Sequence, residues 1–91
     1  VSRLDEAAIA EALRRAPGWE RSSAEIRRTY RFHDFREALA FVDRVGELAE
    51  RAGHHPDIDI RYNTVTLVLS THDAAGLTTK DFDLAAAIDR G

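Results

Sequence analysis

Between residues 57 and 70 the apolar side chains fall on every second position, twice in succession. Ile58, Ile60 and Tyr62 alternate with Asp57, Asp59 and Arg61, then Val65, Leu67 and Leu69 alternate with Thr64, Thr66 and Ser70. A period of two is the repeat of a strand with one buried face. Only Asn63-Thr64 separates the two runs, which leaves no room for a crossover and predicts an antiparallel hairpin turning there. Val68 is the one apolar residue on the polar face.

Residues 25 to 33 repeat the pattern upstream. Ile26, Tyr30 and Phe32 share one face, while Arg27, Thr29, Arg31 and His33 share the other. Arg28 falls on the apolar face, where its aliphatic stem can snorkel. Trp19 to Arg21 reads as a short partner strand, with Ser22-Ser23 as the turn.

Between and around the strands the period changes to that of a helix. Ser2 with Asp5 reads as the start of the first helix, followed by Leu4, Ala8, Ile9, Ala12, Leu13 and Ala16 at helical spacing, and Pro17-Gly18 ends it. Asp34 with Glu37 opens a second helix, Phe35 to Ala52, closed by Gly53 and Pro56. That helix carries two apolar stripes: Phe35, Leu39, Val42 and Ala49, and Ala38, Phe41, Val45, Leu48 and Ala52. So wide a face fits either a deeply buried helix or one that packs on its own sheet and also on a partner subunit. Thr78 with Asp81 caps a third helix, running to about Arg90 through Phe82, Ala85, Ala86 and Ile88. The predicted order is α-β-β-α-β-β-α. It describes a two-layer α+β domain, a four-stranded antiparallel sheet with three helices on one face.

The 91 residues fit a single domain, 1–91, with one modest core. Thirteen basic residues are scattered among sixteen acidic ones, so no basic block invites nucleic acid. The absence of cysteine excludes disulfides, thiolate chemistry and cysteine-ligated zinc, and is compatible with the cytoplasm, the expected location. No stretch approaches the roughly 18 apolar residues of a membrane span. Val1-Ser2-Arg3-Leu4-Asp5 does not read as a signal peptide, and the missing Met points to a trimmed start. Twelve arginines against one lysine point to a GC-rich, bacterial genome.

Candidate chemistry is concentrated in histidine. Three of the four histidines, His54, His55 and His72, fall within nineteen positions. Histidine exchanges protons near neutrality. Hairpin pairing sets Asp57 beside Ser70 at its open end, which brings all three histidines to one sheet edge. Glu50 lies one helical turn before His54 and points to the same region. Each residue also has a plainer reading. His33 is a solvated side chain, one of His54 and His55 caps the helix end while the other is exposed, and His72 is a polar loop residue. Glu50 is a solvated helix residue, Asp81 the acid of a capping box, and Tyr62 and Trp19 core aromatics. Metal binding is disfavoured, because adjacent histidines diverge on an extended backbone and no helical His-x-x-x-His pair occurs. Ser70 and Thr71 lack a nucleophile-elbow pattern, and no Gly-rich phosphate loop is present.

These residues resemble a known signature. Glu50-x-x-x-His54-His55-Pro56, five residues, Tyr62, nine residues, His72, eight residues and Asp81 is similar to the motif of the pterin-4a-carbinolamine dehydratases. Asp34-Phe35, Ser70-Thr71-His72 and Ala75-Gly76-Leu77 are similar too, so the resemblance covers nearly the whole chain. It implies the same α-β-β-α-β-β-α fold. It also implies a hydro-lyase that removes water from a 4a-hydroxytetrahydropterin to give the quinonoid dihydropterin, in tetrahydrobiopterin recycling, with no cofactor and no metal. Carried onto this chain, His54 and His72 are the acid–base pair, without a choice between them. His55 orients the pterin, and Glu50 hydrogen-bonds a histidine. The Ser70-Thr71-His72 backbone, Asp73 and Asp81 complete the substrate site. Ile58 departs from the pattern, since animal members tend to carry an aromatic there. The resemblance also brings a second class, a non-catalytic binding or assembly protein. Relatives include a dimerisation cofactor of a homeodomain transcription factor and assembly factors of the carbon-fixing enzyme. A scaffold has no need of Glu50, His54, His55 and His72 together, so the expectation is the enzyme. Its partners are expected to be a small-molecule pterin, no membrane and no nucleic acid directly. A homodimer or homotetramer built partly on Phe35–Ala52 is also expected.

Overall fold

The computed structural model describes residues 2–90; Val1 and Gly91, which the expected 1–91 domain includes, lie outside them. The elements run α1 (Glu6–Arg14), β1 (Glu20–Ser22), β2 (Glu25–Arg31), α2 (Phe35–Ala52), β3 (Asp57–Arg61), β4 (Thr64–Leu69) and α3 (Thr79–Arg90). A 3-10 turn at His72–Ala74 links β4 to α3. The four strands form one antiparallel sheet in the order β1-β2-β4-β3, and the three helices cover one face.

The register explains where the core sits. Ile26 stands opposite Leu69, and Tyr30 and Ile60 flank Val65, so all five point to the helical layer. Val65, Leu67 and Leu69 of β4 are fully buried beneath Ala38, Val45 and Ala49 of α2 and Leu84, Ala85 and Ile88 of α3. Burying a large aliphatic side chain contributes about 1.5–3 kcal/mol, so this central strand anchors the fold. The edge strand β3 differs. Ile58 and Ile60 share the apolar face yet stay 39% and 36% exposed, as do Phe35 and Leu39 of α2 at 46% and 41%. The second helix is therefore not buried all round. Ala38, Phe41, Val45 and Ala49 enter the core, drawn from both stripes, while Phe35, Leu39 and Ala52 face outward.

Several expected boundaries move. Asp5, not Ser2, caps α1, its carboxylate accepting the Ala8 amide at 2.8 Å. The Leu4 amide donates instead to Leu77 O at 2.8 Å, which ties that segment to the loop before α3 and keeps it out of the helix. The second hairpin turns on Tyr62-Asn63, because Arg61 already pairs with Thr64. Tyr62 takes a φ of 53° there and is exposed, not a core aromatic. The first hairpin turns one residue later than expected, on Ser23-Ala24 between the paired Ser22 and Glu25. Trp19 is buried, just before β1.

Arg28 does snorkel. Its guanidinium lies 4.7 Å from the Tyr30 ring centroid and donates to Pro17 O and to Asp89 near the end of α3. Asp89 also accepts the Trp19 indole N–H at 2.8 Å and the Tyr30 hydroxyl at 2.5 Å. Burial, and then the bond to Asp89, push the Tyr30 hydroxyl well above the ordinary tyrosine range.

Candidate functional site

The site grows from the end of α2. Gly53 adopts the left-handed conformation, φ 62°, and its amide bonds Glu50 O while the His54 amide bonds Ala49 O. This paired closure is a Schellman motif, which glycine accepts without a Cβ penalty. It turns the chain sharply, so that His54 and His55 leave the helix beside β3. Across the sheet, β4 ends at Leu69 and passes Ser70 and Thr71 into the 3-10 turn. An isolated bridge between Thr71 and Gly76, with amide bonds in both directions, pinches the base of that loop. His72 and Asp73 project from it, both exposed.

His54, His55, Ser70, Thr71, His72 and Asp73 line one open cavity of about 290 Å³, together with Gly53 and Lys80. The two histidines after α2 hold different partners. His55 Nε2 meets Glu50 Oε2 at 2.5 Å, in an exposed pair. His54, whose side chain is 11% exposed, meets Asp81 Oδ1 at 2.6 Å. His72 forms no side-chain hydrogen bond among the described residues. His33 lies away from the cavity, at the entry to α2, where its backbone amide donates to Glu37.

Asp81 is fully buried and saturated. Its Oδ2 accepts the Thr71 hydroxyl at 2.8 Å and the Thr78 amide at 2.9 Å. The Lys80 amide donates to the Thr78 hydroxyl at 3.2 Å, and the two threonine hydroxyls lie 2.8 Å apart. Asp81 is thus the acid of the α3 capping box and the partner of His54 at once. It does not line the cavity itself and reaches it through His54 and Thr71. Among the described residues no three His, Cys, Asp or Glu side chains stand where they could hold a metal ion.

Sequence reasoning passed over Lys80, the only lysine of the chain, which lines the cavity from the first turn of α3. It also passed over the Thr78 hydroxyl, read only as a cap. The one available signal was that Thr78 and Lys80 flank the start of a helix whose Asp81 belongs to the spaced motif.

The fold and this arrangement define a two-layer α+β protein with a histidine-lined cavity at one sheet edge. The model of the Pterin 4 alpha carbinolamine dehydratase family matches residues 2–91, and the chain belongs to that family. A Chloroflexus aurantiacus protein named "Putative pterin-4-alpha-carbinolamine dehydratase" is 63% identical over 89 residues, 98% of this chain and 96% of that one. A Thermomicrobium roseum protein of the same name is 59% identical over 85 residues, 93% of this chain and 91% of its own. The crystal structure of a transcriptional coactivator/pterin dehydratase from Brucella melitensis superposes with a TM-score of 0.94 at 34% identity, covering 98% of this chain and 97% of that one. A pterin dehydratase-like protein identified as a RuBisCO assembly factor of the alpha-carboxysome shares the fold, with a TM-score of 0.66 at 22% identity, covering 79% and 83%. No helix among the described residues is long and apolar enough to cross a membrane.

Proposed function

We propose that this chain is a hydro-lyase that dehydrates a 4a-hydroxytetrahydropterin to the quinonoid dihydropterin, in tetrahydrobiopterin recycling. The observation that carries the reading is the convergence of His54, His55 and His72 on one open cavity. Family membership supplies the substrate class. The reaction asks for little else. The C4a hydroxyl accepts a proton and leaves as water, and the ring N–H gives up its proton to a base. Protons balance, and the loss of water needs neither a redox partner nor a metal. A well-placed acid or base contributes about 10²–10⁴-fold.

In this reading His54 and His72 exchange the protons, and His55, braced by Glu50, orients the ring. The strand end from Ser70 to His72, with Asp73, offers backbone groups to the pterin edge. The chain acts as one domain in the cytoplasm. It assembles as a homodimer or homotetramer, for which the exposed Phe35 and Leu39 of α2 and Ile58 and Ile60 of β3 provide an apolar surface. The test is stopped-flow absorbance of quinonoid dihydropterin formation. Acceleration above the spontaneous rate, lost in His54→Ala and His72→Ala, is expected, and a wild-type rate equal to the spontaneous one overturns the reading. Light scattering at tens of micromolar tests the assembly, and a monomeric mass overturns that part.

A further inference from the structure

Asp81 presents an unusual combination. It is a carboxylate with no exposure, holding a histidine that does reach the cavity. With Asp81 as a carboxylate, the hydrogens around it follow from the bonds. The Thr78 amide can only donate, and it is aimed at Oδ2. The Thr71 hydroxyl also donates to Oδ2, so its oxygen takes the proton of the Thr78 hydroxyl, which in turn accepts from the Lys80 amide. The chain of donors runs one way, from the Lys80 amide through Thr78 and Thr71 to Asp81. Two donors on Oδ2 leave Oδ1 to accept from His54 Nε2.

A neutral imidazole carries one N–H, and the bond made by one nitrogen decides which nitrogen keeps the proton. His54 Nε2 faces an acceptor, so Nε2 holds the hydrogen and Nδ1 holds the lone pair. Nδ1 forms no hydrogen bond among the described residues. No buried side-chain nitrogen or oxygen lacks a partner there, so Nδ1 is not sealed from solvent. His55 and His72 have no comparable buried partner.

We infer that Asp81 is a positioning residue, aimed by Thr78 and Thr71, which locks neutral His54 as its Nε2–H tautomer and makes Nδ1 the atom that exchanges protons in the cavity. The inference rests on the proposed dehydratase for its catalytic consequence only; the tautomer itself is a property of the protein alone.

Replacing Asp81 with asparagine gives a sharp test. The Thr78 amide and Thr71 hydroxyl demand an oxygen at the Oδ2 position, so the new amide must turn its NH2 toward His54. Nε2 then has to accept, and the proton moves to Nδ1. Long-range ¹⁵N–¹H NMR of the full chain, at a pH where the ring is neutral, separates the two nitrogens. In the wild type Nε2 should be the protonated nitrogen of His54. In Asp81→Asn the assignments should swap, while those of His55 and His72 stay in place. Adding Thr71→Val to Asp81→Asn removes one of the two donors and should give mixed tautomers. In the dehydratase assay Asp81→Asn should lower kcat by about 10²–10⁴-fold with little change in KM, the scale expected of a wrong tautomer. A wild-type spectrum with the His54 proton on Nδ1 overturns the inference even if Asp81→Asn does not fold. So does a folded Asp81→Asn that keeps the proton on Nε2. A swapped spectrum alongside an inactive wild type would instead leave the tautomer lock standing and remove the dehydratase reading.

Discussion

Helix α3 carries an aspartate in its first turn and another in its last, and the two are used in opposite ways. Asp81 accepts three hydrogen bonds at full burial, one of them from a histidine that opens onto a cavity. Asp89, with a side chain 27% exposed, also accepts three, from Trp19, Arg28 and Tyr30. Residue type, helix and number of bonds are alike. The difference lies in the partners. Those of Asp89 are two neutral donors and a permanently charged guanidinium, so its network fastens β2 and the segment after α1 to the helix. Asp81 has a partner whose proton can sit on either nitrogen, so its network sets a chemical state. A saturated carboxylate is a clamp or a tuning device according to what it holds.

The comparison can be broken by substitutions at either end. The largest effect expected is on activity. Asp81→Ala should cost about 10²–10⁴-fold in dehydratase turnover by freeing His54, and should also destabilise the chain by about 1–3 kcal/mol through the orphaned Thr71 hydroxyl and Thr78 amide. Steady-state kinetics beside urea unfolding measure both. Asp89→Ala should show the reverse. The buried Trp19 indole loses its acceptor, so unfolding free energy should fall by about 1–3 kcal/mol while turnover of the folded protein holds. Equal loss of turnover in the two variants would erase the distinction.

A smaller effect is expected at Gly53. Its Cβ would meet no atom within 4 Å, so Gly53→Ala tests backbone strain alone, and the left-handed cap should cost about 1–2 kcal/mol in urea unfolding. Because the same cap aims His54 and His55, KM for the pterin should rise as well. The smallest effect concerns alkaline pH. Tyr30 in the folded chain holds its proton above the ordinary range through burial and Asp89. Once pH exceeds about 10, the unfolded chain releases a proton that the folded chain keeps. Stability should therefore decline as pH rises beyond that point. Tyr30→Phe should flatten the decline, and an unchanged slope in thermal melts would count against the clamp.

Much of the fold was legible because it rests on local signals. The period-two runs around β4, the Asp34–Glu37 start and Gly53 end of α2, and the Thr78–Asp81 start of α3 all appear where the sequence places them. The misreadings share a cause, since each is decided by a pairing between segments rather than by the pattern along one. Ser2 lost the role of cap because Leu4 bonds Leu77, far along the chain. Tyr62 left the core because the cross-strand register, not the alternation, decides where a hairpin turns. In the site, hairpin geometry was enough to gather His54, His55 and His72 at one edge. The pairing of His54 with Asp81 was not legible from residues alone. It depends on how α3 docks against the end of α2, and a capping-box acid has the same sequence appearance whether or not a histidine leans on it.

The double employment of Asp81 ties the cavity to the seating of the last helix. The first turn of α3 and the state of His54 share one carboxylate, so the two are coupled. A chain that has paired its four strands but not yet seated its last helix would possess the three histidines at one edge and still lack a committed proton acceptor. Competence at the cavity then requires a seated α3, and protection of the Thr78 and Lys80 amides from hydrogen exchange would report it.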